Sequence, residues 1–138
     1  MQNGFDPMMV EMTEKKQFQL EYLIKTSAKV LYNRLSTPGG LAEWFADDVT
    51  IKNDIYSFFW DGSEEKAKML ARKPGEFMRF QWLDAEDADY YFEFKIKVDD
   101  LTKEVALIIT DHAEENEQDE SIRLWDSQVS NLMRILGS

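Results

Sequence analysis

The sequence predicts an α+β domain in which a curved antiparallel sheet of about seven strands wraps a long C-terminal helix. Three observations carry that reading. Over residues 119–136 the apolar side chains Ile122, Trp125, Val129, Leu132, Met133 and Leu136 recur at steps of 3, 4, 3, 1 and 3, which trace one stripe of an α-helix. Before it, short segments alternate apolar and polar residues with the period of half-buried strands. The turns between those segments are brief, so consecutive strands pair as an antiparallel meander. A helix with one apolar stripe needs an apolar surface, and a sheet with one aromatic face supplies it.

Taken in order, residues 1–14 show no period and contain Gly4 and Pro7, so they read as a flexible arm preceding one domain at 15–138. Met8, Met9 and Met12 could dock that arm on a neighbouring surface. The first strand follows, with Phe18, Leu20, Tyr22 and Ile24 on one face and Gln17, Gln19 and Glu21 on the other. Ser27 is placed to cap a short helix whose buried side is Val30, Leu31 and Leu35. Thr37 and Pro38 restart a second short helix as its cap and first position, with Leu41, Trp44 and Phe45 as its apolar face. Gly39 and Gly40 lower helix propensity there.

The middle of the chain is strand. Val49 and Ile51 form a short one, residues 55–60 the next, and Asp61-Gly62 suits a hairpin turn. Residues 64–72 alternate charged and small apolar groups up to the turn Lys73-Pro74-Gly75. Met78, Phe80 and Trp82 then share a face, which places Arg79 on the opposite, outer one. After an acidic loop at 84–89, Tyr90, Phe92, Phe94, Ile96 and Val98 alternate with Tyr91, Glu93, Lys95 and Lys97. Asp99-Asp100 turns, and Val105, Leu107 and Ile109 make the last strand. An acidic linker at 111–120 leads into the long helix. Acidic residues at the start of that helix, Arg134 in its last turn and Gly137 beyond it suit the dipole and a C-terminal cap.

Composition narrows the function. With 138 residues and 43% hydrophobic side chains, the chain is long enough for one sizeable core. A net charge of −11 argues against binding nucleic acid or an anionic membrane by general electrostatics. No apolar run reaches the ~20 residues of a membrane span. The first residues lack the pattern of a signal peptide. There is no cysteine, hence no disulfide framework and no thiolate chemistry, and the expectation is a cytoplasmic protein. No phosphate loop, metal motif or nucleophile elbow is present, so no cofactor and no metal are expected. The acidic run from Asp111 to Glu120 lacks the ligand order and fixed glycine of an EF-hand and reads as a solvated linker. His112, the one histidine, is either an acid–base group at a cavity mouth or a strand-end residue with a local hydrogen bond.

The order of elements resembles the helix-grip fold of the START-like, or Bet v 1-like (SRPBCC), superfamily, with the nearest likeness to proteins similar to the activator of Hsp90 ATPase. Three stretches carry it: SAKVLYNRLSTPGGLAEWF at 27–45, FMRFQW at 77–82, and the strand ending Thr110, Asp111, His112 before the helix entered through Trp125. Departures are Ala28, where the family often has proline, and Asn53-Asp54, where it often has a glycine-rich hairpin. The resemblance implies the fold and often a deep apolar cavity between sheet and helix. It implies no shared catalytic residues.

The aromatic and methionine set is the feature from which a function can be argued. Phe59, Met69, Met78, Phe80, Trp82, Tyr90, Phe92, Phe94, Trp125, Val129 and Met133 either fill a core or line a pocket between sheet and helix for a hydrophobic or lipid-like small molecule. Two other functions stay open. One is a protein-interaction module, chaperone-partner-like or forming a homodimer, using a strand face of Tyr56, Phe58 and Trp60. The other is an enzyme of the cyclase or hydrolase kind, for which the sequence offers no acid–base constellation.

Overall fold

A computed structural model describes residues 14–85 and 89–138 of the chain. The arm expected at the N-terminus therefore lies, Glu14 apart, outside the described residues. Seven strands form one antiparallel sheet: β1 (Lys15–Ile24), β2 (Asp48–Lys52), β3 (Ile55–Trp60), β4 (Ser63–Lys73), β5 (Phe77–Trp82), β6 (Phe92–Val98) and β7 (Val105–Glu114). Their order across the sheet is β1-β7-β6-β5-β4-β3-β2, a meander to which the first strand is added beside the last. Helices α1 (Ala28–Ser36) and α2 (Pro38–Trp44) follow β1, and α3 (Gln118–Ile135) closes the chain after a 3₁₀ turn at Glu115–Glu117.

Local chemistry explains the corners. Ser27 Oγ accepts from the Val30 N–H at 3.1 Å, and Thr37 Oγ1 from the Gly40 N–H at 2.9 Å, so both short helices have side-chain N-caps. Asp61 and Gly62 both take positive φ, 49° and 83°, as a two-residue hairpin requires. Gly137, at φ 72°, ends α3 with its N–H on the Arg134 carbonyl, while Ser138 N–H reaches Met133.

The apolar stripe of α3 lies in the sheet: Trp125, Val129 and Leu132 are buried, with Ile122, Met133 and Leu136 packed at the margin. From the sheet, Phe18, Phe58, Met78, Phe80, Phe92, Phe94, Leu107 and Ile109 meet it. Phe45, just past α2, is the hub of this core. Its ring lies 5.0 Å from Phe58, 5.7 Å from Phe94 and 5.7 Å from Trp125, on which it stacks. Its carbonyl accepts from Trp60 Nε1 and Gln128 Nε2, both at 2.9 Å, which ties β3 and α3 to the end of α2.

Five expectations are corrected. Val30 is 44% exposed, because the buried side of α1 is the i, i+4 pair Leu31 and Leu35. The acidic linker is shorter than expected: residues 111–114 belong to β7, because β1 extends back to Lys15 and supplies ladder partners as far as Glu114. Backbone pairing there outweighs the poor strand propensity of charged side chains. Tyr90 and Tyr91 lie outside β6, which starts at Phe92 opposite Phe80. The face of Tyr56, Phe58 and Trp60, offered as a free interaction surface, turns inward, with Tyr56 and Phe58 buried and Trp60 packed against the core. Alternation then puts Phe59 on the outer side of the sheet, so it does not share the inward set.

Candidate functional site

The remaining residues of the aromatic set divide into three groups. Met78, Phe80, Phe92, Phe94, Trp125 and Val129 are buried against one another. Phe80 and Phe92 stack at 5.1 Å and Phe94 meets Trp125 edge-on at 5.9 Å, so where these rings touch the space between sheet and helix is filled by their own side chains. Met69 and Met133 are half-buried at the margin, Met133 beside Ile24 and Val105 at the end of the sheet away from Asp111. Trp82 and Tyr90 are half-buried and open on a cleft.

That cleft is a notch produced by strand register. β7 pairs with β1 as far as Lys15 and Glu114, but with β6 only from Thr110 opposite Glu93. Residues 111–114 of β7 therefore overhang β6. Into the space beside them open Trp82, Asp84, Ala85, Tyr90, Tyr91 and Lys15, around a volume of about 400 Å³. A second depression shares Lys15 and His112 and runs toward Glu117, Glu120 and Leu124 near the start of α3.

Alternation sends Asp111 and His112 to opposite faces of β7. Asp111 pairs across the sheet with Phe18 and points inward, where its Oδ2 accepts from Trp125 Nε1 at 2.9 Å and its Oδ1 from the His112 N–H at 2.7 Å. Burial pushes this carboxyl above the ordinary aspartate range, while the indole and backbone donors pull against the shift. His112 Nδ1 lies 2.8 Å from the Tyr91 carbonyl. A carbonyl only accepts, so Nδ1 carries the proton and Nε2 faces away from this bond. The imidazole also contacts the Tyr91 ring at 4.8 Å and the Tyr90 ring at 5.7 Å. It thus takes the place of the missing ladder, fastening residues 90–91 to β7. Although both groups line the notch, they form no side-chain pair with each other.

Tyr90 Oη accepts from the Lys15 N–H at 3.2 Å, and the Lys15 ammonium stands 5.6 Å from the Tyr90 ring centre. On the outer face, Arg79 pairs with the buried Glu93 at 2.8 Å and lies 4.2 Å over the Tyr91 ring, as the alternation of β5 requires. The role of Asp111 was not legible in the acidic run, since its partner Trp125 is 14 residues away on another element. Among the described residues no three His, Asp or Glu side chains are arranged to hold a metal ion, and no helix is long and apolar enough to cross a membrane.

Comparison with known proteins places this architecture. A Bacteroides fragilis protein solved by solution NMR is 41% identical, with 89% of this chain and 92% of that one covered at a TM-score of 0.64. The Aha1 dimer of Colwellia psychrerythraea, at 16% identity and a TM-score of 0.70, covers 86% of this chain and 93% of its own. Protein MLL2253 of Mesorhizobium loti, at 15% identity and 0.73, covers 88% and 97%. The last two likenesses are of fold alone. No curated protein matches the chain significantly. The description "START-like superfamily domain" fits residues 12–138, and with nearly the whole sequence matched, the chain belongs to the START-like superfamily.

Proposed function

We propose that the protein binds a hydrophobic small molecule without chemical conversion, at the notch beside the overhang of β7. Proteins of this superfamily often bind hydrophobic ligands. The observation that carries the reading is the continuity of apolar wall and core. Trp82 opens on the notch, its ring is 4.9 Å from Phe92, and Phe92 is 6.3 Å from Trp125. A guest could lie on Trp82 and Tyr90 and extend toward the core by displacing half-buried side chains at its margin. The cytoplasm suits a chain without cysteine.

A neutral fluorescent probe, N-phenyl-1-naphthylamine, tests this. Saturable binding is expected, weakened by at least about tenfold in Trp82→Ala and Tyr90→Ala, as loss of a buried aromatic wall predicts. Absence of saturable binding, or binding indifferent to both changes, would reject the notch as the site.

A second reading has its own support. Among the described residues β1 is a ten-residue edge strand paired only with β7, and the Colwellia psychrerythraea neighbour is a dimer. An edge of that length can pair with a second copy. Light scattering across a concentration series would detect such a dimer, and a constant monomer mass would remove this reading.

A further inference from the structure

The charge lining the notch gives its ligand a sign. Among the described residues Asp84, Asp111 and Glu114 face it, against the single ammonium of Lys15. The aromatic wall is also already used for a cation, because the Lys15 ammonium stands over the Tyr90 ring. Asp111 sits deeper than the other two carboxylates, on the inward side of β7, and its oxygens have lone pairs beyond the two that accept from Trp125 and His112. Lys15 reaches this place from the exposed first residue of an edge strand, so its side chain can leave at little cost. A positively charged head would find there a ring face and a carboxylate, with Trp82 as an apolar floor for its body.

We propose that the notch selects organic cations: an amphiphile with an ammonium head that takes the position of the Lys15 ammonium over the Tyr90 ring, on a notch that Asp111 also lines, and an apolar or aromatic body that lies on Trp82. The inference rests on the notch being a ligand site. Local field then decides between otherwise equal guests. A carboxylate of low exposure attracts an ammonium and repels an anion, and a ring face adds to the attraction. Both effects vanish for a neutral head of the same shape.

A matched series separates the two ideas. 4-Phenylbutylamine, 4-phenylbutanol and 4-phenylbutyrate share one apolar body and differ in the charge of the head. Each is titrated into the full chain at neutral pH, and the Trp82 and Trp125 indole N–H signals and the Tyr90 amide are followed by two-dimensional NMR. The amine should bind about tenfold or more tighter than the alcohol, and the butyrate weakest. Asp111→Asn, which can still accept from Trp125, should collapse the amine-over-alcohol ratio toward one, with the spectrum reporting that the fold is intact. Lys15→Met removes the resident competitor and should tighten amine binding. An alcohol that binds as well as the amine, or a ratio that survives Asp111→Asn, overturns the cation preference while leaving the notch as a site. No shift at Trp82 with any of the three overturns both.

Discussion

Asp111 carries a negative charge into the edge of an aromatic core, and the cost of doing so is readable as a pH dependence. Burial raises its pKa in the folded state, so the native protein binds this proton more tightly than the unfolded chain does. Stability attributable to this group is therefore greatest below the unfolded value of about 3.9 and falls as pH rises from there through the folded pKa. Asp111→Asn should flatten that part of the profile, measured by urea unfolding at stepped pH; an unchanged slope would exonerate Asp111. The Trp125 indole works against burial by donating to Oδ2. Trp125→Phe should consequently raise the Asp111 pKa further, as followed by carboxyl ¹³C titration, and a lowered value would show that the indole is not what restrains it. Tyr22 is a parallel case: burial first, then its 2.5 Å hydrogen bond to Asp126, raises the phenol far above its ordinary range, and that bond also fastens α3 to β1.

Between elements, the corner joining α1 to α2 makes the sharpest demand on sequence. A Cβ added to Gly40 would come within 2.7 Å of the Arg34 Cα and the Asn33 carbonyl oxygen, both backbone atoms, whereas one added to Gly39 would meet nothing. Gly40→Ala should therefore destabilise the protein by roughly 1–3 kcal/mol through overpacking. Gly39→Ala, one position earlier in the same helix, should stabilise it by about 0.4–1 kcal/mol. Paired thermal melts check the contrast, and equal effects would refute it. In the sequence both glycines read alike, as weak helix formers, because local propensity carries no information about which backbone passes close by. The same limit explains the other differences. Period-2 alternation located β5 and β6 and the inward turn of Phe80 and Phe94, since those patterns are local. It could not end β6 at Phe92 or extend β7 to Glu114, because those limits depend on where β1 and β5 run. The notch is made by that mismatch of three strand lengths, so Trp82 and Tyr90 were legible as aromatic candidates while their meeting with Asp111 and Lys15 was not.

Across the whole molecule, one ring network joins elements that are far apart in the chain. Phe45 touches Trp44 beside it, Phe58 and Trp60 on β3, Phe92 and Phe94 on β6, and Trp125 on α3. A core in which helix and sheet share a single hub has no part that can lose its packing alone, so unfolding should be cooperative. Transitions followed by near-ultraviolet and far-ultraviolet circular dichroism should coincide in urea. Phe45→Ala should lower stability by about 3–5 kcal/mol, because it removes a buried ring and leaves a cavity that rigid neighbours cannot collapse. If the hub governs the domain, that loss moves both transitions together with an unchanged dependence on urea. If α3 instead docks on the sheet as an independent unit, the near-ultraviolet signal of Trp125 is lost first while strand signal persists. The two outcomes also bear on binding. Under the first, a guest at the notch can displace half-buried side chains at its margin but cannot part helix from sheet without unfolding the domain. Under the second, the helix can lift as a lid and admit a larger body.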